Sequence, residues 1–191
     1  MMHSNRQNAR DPETRLWCIR PDLFTPGGRP SLPHEMTSGT RLCDELSVFH
    51  DADTPALRID RIAPAGDAPF LRLTSYRFEG TFLSLALAIP ESLSTRMRAG
   101  HELVLDITAN SSRPVALDTR LNISIAGEME ELFSHRILTK GTRRIRYDLQ
   151  HFDLRDETVG NAWCDLIFKH PAMIEIDLID VVLALKQRDA A

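Results

Sequence analysis

The sequence predicts an all-β protein: a two-sheet antiparallel β-sandwich of jelly-roll type with at most one or two short helices. Three observations predict it. Apolar and polar residues alternate with period two along segment after segment. Those segments are short and are separated at regular intervals by Pro, Gly and Asp. A 3.6-residue apolar period is almost absent, which leaves two packed sheets as the way to bury the apolar faces.

The chain runs from a polar leader, residues 1–14, into a short apolar piece at Leu16-Trp17-Cys18-Ile19 that stops at Pro21. Residues 21–41 hold Pro21, Pro26, Gly27, Gly28, Pro30 and Pro33, and read as an irregular surface segment. A single sandwich domain is expected over 15–188. Its first strands are Leu46 to His50, Leu57 to Ile62 and Phe70 to Phe78. Phe82 to Ile89 and Trp163 to Phe168 are apolar or small nearly throughout, Asp165 excepted, as befits strands in the middle of a sheet.

The clearest alternation is Val115 to Ile125. Val115, Leu117, Leu121, Ile123 and Ile125 share one phase, while Asp118, Arg120, Asn122 and Ser124 take the other. A one-residue slip would bury Asp118 and Arg120, so the register is well specified. Leu103 to Ile107 and Ile145 to Leu149 alternate in the same way. The closing strand, Ile174 to Leu185, changes phase between Leu178 and Ile179, which predicts a β-bulge there. Two helices are candidates: Ser92 to Arg98, with Ser92 as N-cap and Gly100 as stop, and Glu128 to Phe133.

Composition narrows the function classes. With 23 Lys and Arg against 27 Asp and Glu, the net charge of −4 gives no basic excess, so no nucleic-acid partner is expected. No apolar run approaches the ~20 residues of a membrane span, and no apolar core marks a secretory signal. Three dispersed cysteines, Cys18, Cys43 and Cys164, argue against a disulfide framework or a CxxC metal site and point to a cytoplasmic setting.

No motif carries catalytic chemistry. The seven histidines form no HxH or HxxxH pair, and G-x-S-x-G and phosphate-loop patterns are absent. No cofactor is expected. Cys164 sits within an apolar strand and reads as a small core residue. Asp51 and Asp53 resemble a fragment of an acidic Ca²⁺ loop, and Asp180 could join them around a structural calcium ion.

One constellation bears on function. Asp118, Arg120 and Asn122 present donors and acceptors on one sheet face. Arg144 and Arg146 would extend that face into a hydrogen-bonding platform if they lay on the same sheet. An aromatic ring for a sugar could come from Trp17, Tyr76, Tyr147 or Trp163, with Tyr76 the preferred one. The same pattern also describes a solvated face of cross-strand ion pairs.

Three stretches resemble an uncharacterised alphaproteobacterial family of unknown function: Leu16 to Asp22, Tyr76 to Leu85 and Trp163 to Pro171. That resemblance implies no catalytic residue. Trp163 to Leu185 is also similar, more distantly, to the closing strands of galactose-binding-like jelly rolls, which include many carbohydrate-binding modules. It implies the sandwich and, by analogy alone, a carbohydrate-binding-like role.

The function expected is a non-catalytic ligand-binding module, with a glycan as the partner. The alternatives are a structural or protein-interaction protein and, third, a metal-dependent enzyme.

Overall fold

The computed structural model describes residues 15–28, 32–53, 56–154 and 159–188; the expected leader at 1–14 lies outside them. The described chain forms twelve strands. They are β1 (Arg15–Ile19), β2 (Thr40–Arg41), β3 (Leu46–His50), β4 (Leu57–Ile62), β5 (Phe70–Ser75), β6 (Phe82–Ile89), β7 (His101–Ser111), β8 (Val115–Ile125), β9 (Glu128–Leu138), β10 (Gly141–Asp148), β11 (Val159–Lys169) and β12 (Ile174–Gln187). One short helix, α1 (Glu91–Ser94), follows β6.

Sheet I has the order β10-β7-β12-β5-β4, with β1 also paired to β12. Sheet II has the order β2-β3-β6-β11-β8-β9. The last eight strands split four and four between the sheets, as β10-β7-β12-β5 and β6-β11-β8-β9. Within these eight strands the chain changes sheet at β5–β6, β6–β7, β7–β8, β9–β10, β10–β11 and β11–β12. This is the double Greek-key winding of a jelly roll. Strands β1 to β4 are additions at its margins.

The alternation read from the sequence decides which side chains are inside. Val115, Leu117, Leu121, Ile123 and Ile125 of β8 are buried, as are Leu103, Leu105 and Ile107 of β7 and Ile145 and Tyr147 of β10. They join one continuous apolar core between the sheets. A polar bond crosses that core: Tyr147 Oη donates to Thr119 Oγ1 at 2.6 Å, with Cys164 Sγ 3.8 Å from the same hydroxyl. Burial pushes the Cys164 thiol up to about 12, consistent with its reading as a packing residue.

The predicted bulge is present. The β12–β7 ladder passes from Leu178↔Ala109 directly to Asp180↔Thr108, so Ile179 is the extra residue. Buried positions switch there from Ile174, Ile176 and Leu178 to Val181, Leu183 and Leu185. The bulge lets one strand keep both apolar sets facing the core.

Three local expectations are corrected. Glu128 to Phe133 is strand, because Ala126 (φ 51°) and Gly127 (φ 88°) make a tight two-residue turn that folds β9 back along all of β8. The helix near Ser92 is one turn over Glu91–Ser94, set by Pro90, and its N-cap makes no side-chain hydrogen bond. Ser94 Oγ instead donates to Gly160 O at 2.8 Å.

In the segment expected over 21–41, residues 21–28 and 32–39 are largely irregular but more than surface. Leu23, Phe24 and Met36 are buried, and Arg61 clamps the carbonyls of Leu23 (3.0 Å) and Thr25 (2.9 Å). Pro21, Pro26 and Pro33 mark the irregular backbone, whereas the apolar side chains of Leu23, Phe24 and Met36 supply the packing.

Candidate functional site

Each sheet has an outward face, and the two differ. On sheet I, oppositely charged residues meet across strands. Arg72 forks onto Asp177 (2.7 and 2.9 Å) and Arg144 onto Asp106 (2.7 and 2.7 Å). Arg146 meets Glu102 at 2.7 Å, and Arg20 meets Asp180 at 2.7 Å. The Asp177 and Asp106 carboxylates raise the basicity of the Arg72 and Arg144 guanidinium groups further.

Arg144 and Arg146 therefore do not extend the Asp118 row. They stand on β10 in sheet I, whereas Asp118, Arg120 and Asn122 stand on β8 in sheet II. Alternation fixes which phase faces out but not which layer a strand joins, and the chain changes layer between β9 and β10. Tyr76 is exposed in the turn after β5 and takes no part in the sheet II face. Of the other aromatic candidates, Trp17 and Tyr147 are core residues and Trp163 reaches the sheet II face.

That face carries a groove of about 720 Å³. Its floor is made of small side chains on β6, Ser84 and Ala86, which lie opposite Ile167 and Asp165 of β11. Phe49 of β3 flanks the floor on one side and Arg120 of β8 on the other, while Trp163 stands toward one end and Phe82, opposite Lys169, toward the other. Lys169 and His170 stand at one end. The volume falls within the roughly 300–1,000 Å³ of small-molecule sites.

Asp165 organises the groove. It is 4% exposed, although it points away from the core. Its Oδ2 accepts from Arg120 Nε (3.0 Å), Arg120 Nη2 (2.9 Å), Asn122 Nδ2 (3.0 Å) and Trp163 Nε1 (3.2 Å). Four donors on one oxygen explain how a charge sits in a largely apolar strand. Oδ1 accepts only a long bond from Ser84 Oγ, 3.3 Å, and keeps capacity for another donor. The buried carboxylate also fixes the orientation of both Arg120 and the Trp163 ring.

Around this centre Arg120 Nη1 donates to Glu131 Oε1 at 3.2 Å, and its Cζ lies 5.9 Å from the Phe133 ring centroid. Asn122 is 1% exposed; its amide donates to the carbonyls of Arg120 and Trp163 as well as to Asp165. Its Oδ1 is buried with no hydrogen-bond partner. Asp118 lies between His135 Nδ1 (2.6 Å) and Lys169 Nζ (2.5 Å). The His135 hydrogen bond, followed by that of Lys169, holds its carboxyl below the usual aspartate range.

The three acidic residues read as calcium ligands are not brought together. Asp51 follows β3 in sheet II and spends both oxygens on the start of β6. Oδ1 accepts from Thr81 N (2.7 Å) and Phe82 N (3.1 Å), and Oδ2 from Thr81 Oγ1 (2.5 Å). Gly80 permits this approach, since a Cβ there would lie 2.4 Å from Asp51 Oδ1. Asp180 belongs to sheet I and pairs with Arg20, while Asp53 is an exposed loop residue.

Among the described residues, the one group of three ligand-type side chains within reach of a common ion is Asp22, Cys43 and Glu45. There burial pushes the Cys43 thiol up to about 12, away from the thiolate that a metal needs.

Sequence reasoning found Arg120, Asn122, Asp118 and Trp163 but missed Asp165, Phe49, Phe82 and Lys169. Asp165 had a readable signal: a lone acid in an otherwise apolar strand needs a buried partner. Phe49 and Phe82 had none, because an outward-facing Phe is indistinguishable in sequence from a core one.

A sandwich with an open groove on one sheet and an ion-paired face on the other is the class that fold and site define. The sequence matches, over residues 1–191, the model of a family described as a family of unknown function, DUF6478, and the chain belongs to that family. No curated protein matches it.

Among solved structures it is similar to the C-terminal family 22 carbohydrate-binding module of Clostridium thermocellum Xyn10B. The TM-score is 0.49 at 7% identity, covering 95% of this chain and 100% of that one. It is also similar to a family 11 carbohydrate-binding module from Clostridium thermocellum, with TM-score 0.48, 5% identity and 80% and 96% of the two chains covered. A xylan-binding domain of Paenibacillus barcinonensis Xyn10C gives a TM-score of 0.47 at 10% identity, covering 83% and 94%.

Proposed function

We propose that this protein is a non-catalytic binding module whose groove on sheet II takes a hydroxyl-rich ligand, a glycan segment. The observation that carries the reading is the groove's composition: aromatic walls around a buried, hydrogen-bonded carboxylate. A sugar ring offers an apolar C–H face to an aromatic ring and a rim of hydroxyls to planar donors and acceptors. Trp163 and Phe49 supply the first kind of surface. Asp165 Oδ1, Ser84 Oγ, Arg120 and Lys169 supply the second.

Preorganisation supports the same reading. Arg120 and Trp163 are already held by Asp165, so little side-chain entropy remains to be lost when a ligand arrives. Sheet strands, rather than loops, carry almost every wall residue.

A panel of oligosaccharides on an array, followed by calorimetry on the best one, tests the proposal. The expected result is retention of one glycan class, with Trp163→Ala weakening it at least tenfold while the thermal unfolding midpoint shows that the variant is folded. No retention of any glycan by the folded wild-type chain would overturn it.

A further inference from the structure

Among the described residues the longest free edge of either sheet is β9, eleven residues from Glu128 to Leu138, at the end of sheet II. Its outward face carries Met129, Phe133 and Ile137, all exposed, and Phe133 is 65% exposed. A long edge strand with an apolar stripe is a template for another strand. By contrast β2, at the opposite end of the sheet, has two residues.

The carbonyl of His135 accepts from Arg136 Nη1 (2.7 Å) and that of Ile137 from Arg143 Nε (3.0 Å), whereas the Ser134 carbonyl is reached by Thr119 Oγ1 from β8. The odd-numbered residues, Phe133 included, therefore turn their backbone groups to the free edge. The two arginine bonds are exposed contacts that an incoming strand can replace.

The charge pattern specifies the occupant. Along β9 the acids come first, Glu128, Glu130 and Glu131, and the basic groups last, His135 and Arg136. Laid antiparallel on a copy of itself with Phe133 opposite Phe133, the strand is self-complementary. On the outward face Glu131 meets His135 and Met129 meets Ile137. On the inward face Glu130 meets Arg136 and Leu132 meets Ser134. A parallel copy would set acid against acid. An apolar strand would leave the half-buried Glu130 and Arg136 unmatched.

We infer that β9 is a homodimer interface, pairing antiparallel with β9 of a second copy about a two-fold axis at Phe133 and joining two six-stranded sheets into one. Residues directly opposite in an antiparallel pair point to the same face, so both grooves open on one side of the joined sheet. The inference stands independently of what the grooves bind.

Sedimentation of the full chain across the micromolar range tests it. The wild type should sediment as a dimer. Glu130→Arg and Arg136→Glu should each weaken the dimer at least tenfold, because each puts like charges opposite one another twice per dimer. The double variant Glu130→Arg/Arg136→Glu should restore it, which a misfolded single variant could not explain.

Register is checked in a Cys18→Ser background. There, Phe133→Cys copies should crosslink to each other through a short thiol reagent, and Met129→Cys copies should not. A chain that stays monomeric throughout, a dimer indifferent to the single reversals, or crosslinking at 129 and not at 133 would each overturn the inference.

Discussion

The two outward faces of the sandwich are built from the same strand period, yet they place their charges differently. On sheet I the guanidinium groups of Arg20, Arg72, Arg144 and Arg146 each have their own carboxylate on a neighbouring strand, and the pairs lie side by side as a solvated ladder. On sheet II several donors converge on one buried carboxylate, Asp165, and small and aromatic side chains beside it leave open space. Spreading ion pairs gives a surface complete in itself. Concentrating donors on a single acid gives a fixed geometry with acceptor capacity left over at Asp165 Oδ1, which takes only a long bond from Ser84, and at Asn122 Oδ1. The contrast is one of arrangement, since residue composition alone would rank sheet I as the more polar face.

The comparison can be broken most readily at Arg120. Arg120→Ala leaves Asp165 buried with its main counter-charge gone and should cost about 2–3 kcal/mol in chemical denaturation. That is below the ~3–5 kcal/mol of a fully buried pair, because Asn122, Trp163 and Ser84 still donate and Arg120 is partly exposed. A cost equal to that of Arg146→Ala would erase the distinction between the faces. Replacing both partners by Leu should recover much of the stability and still abolish binding, which would show that the pair is kept for the site.

Next in size is the groove itself. Ala86→Phe projects a ring from the floor into the open volume and should weaken glycan binding at least tenfold, about 1.4 kcal/mol or more, with little change in unfolding.

Acid separates the faces more gently. The Asp118 carboxyl is held low by His135 and Lys169 when folded. The stability it contributes is therefore present above its unfolded value and is lost as pH falls through the lower, folded one. Asp118→Asn should flatten that acid slope in urea titrations taken below the ordinary aspartate range. An unchanged slope would mean that the Lys169 and His135 contacts contribute nothing.

The smallest effect belongs to sheet I. Arg146→Ala, which removes an exposed pair with Glu102, should cost roughly 0.5 kcal/mol and shrink further in high salt.

Much of this was legible from the sequence. Strand phases named the core, and the Leu178–Ile179 phase change located a bulge to within one residue, because burial imposes period two wherever a sheet covers a core. The helix expected at Glu128 was misread because polar residues at an edge carry no burial signal. The Ala126-Gly127 turn that decides the matter has only one of its two residues as glycine.

Arg144 and Arg146 were joined to the wrong face for a topological reason: phase is local, while the layer of a strand depends on how the chain winds. Arg120 and Asn122 were found because they fill the outward phase of a clear alternation with groups that bond. The aromatic walls were not, because only the folded sheet brings Phe49, Phe82 and Trp163, distant in sequence, around one opening.

Glycan binding is proposed for the groove face of sheet II and not for the ion-paired face of sheet I. Its most direct test is one oligosaccharide array probed in parallel with wild type, Ala86→Phe and Arg146→Ala. Retention of the same glycan class by wild type and Arg146→Ala, with its loss from Ala86→Phe, is the expected result. Equal retention by all three, or loss from Arg146→Ala alone, would contradict it.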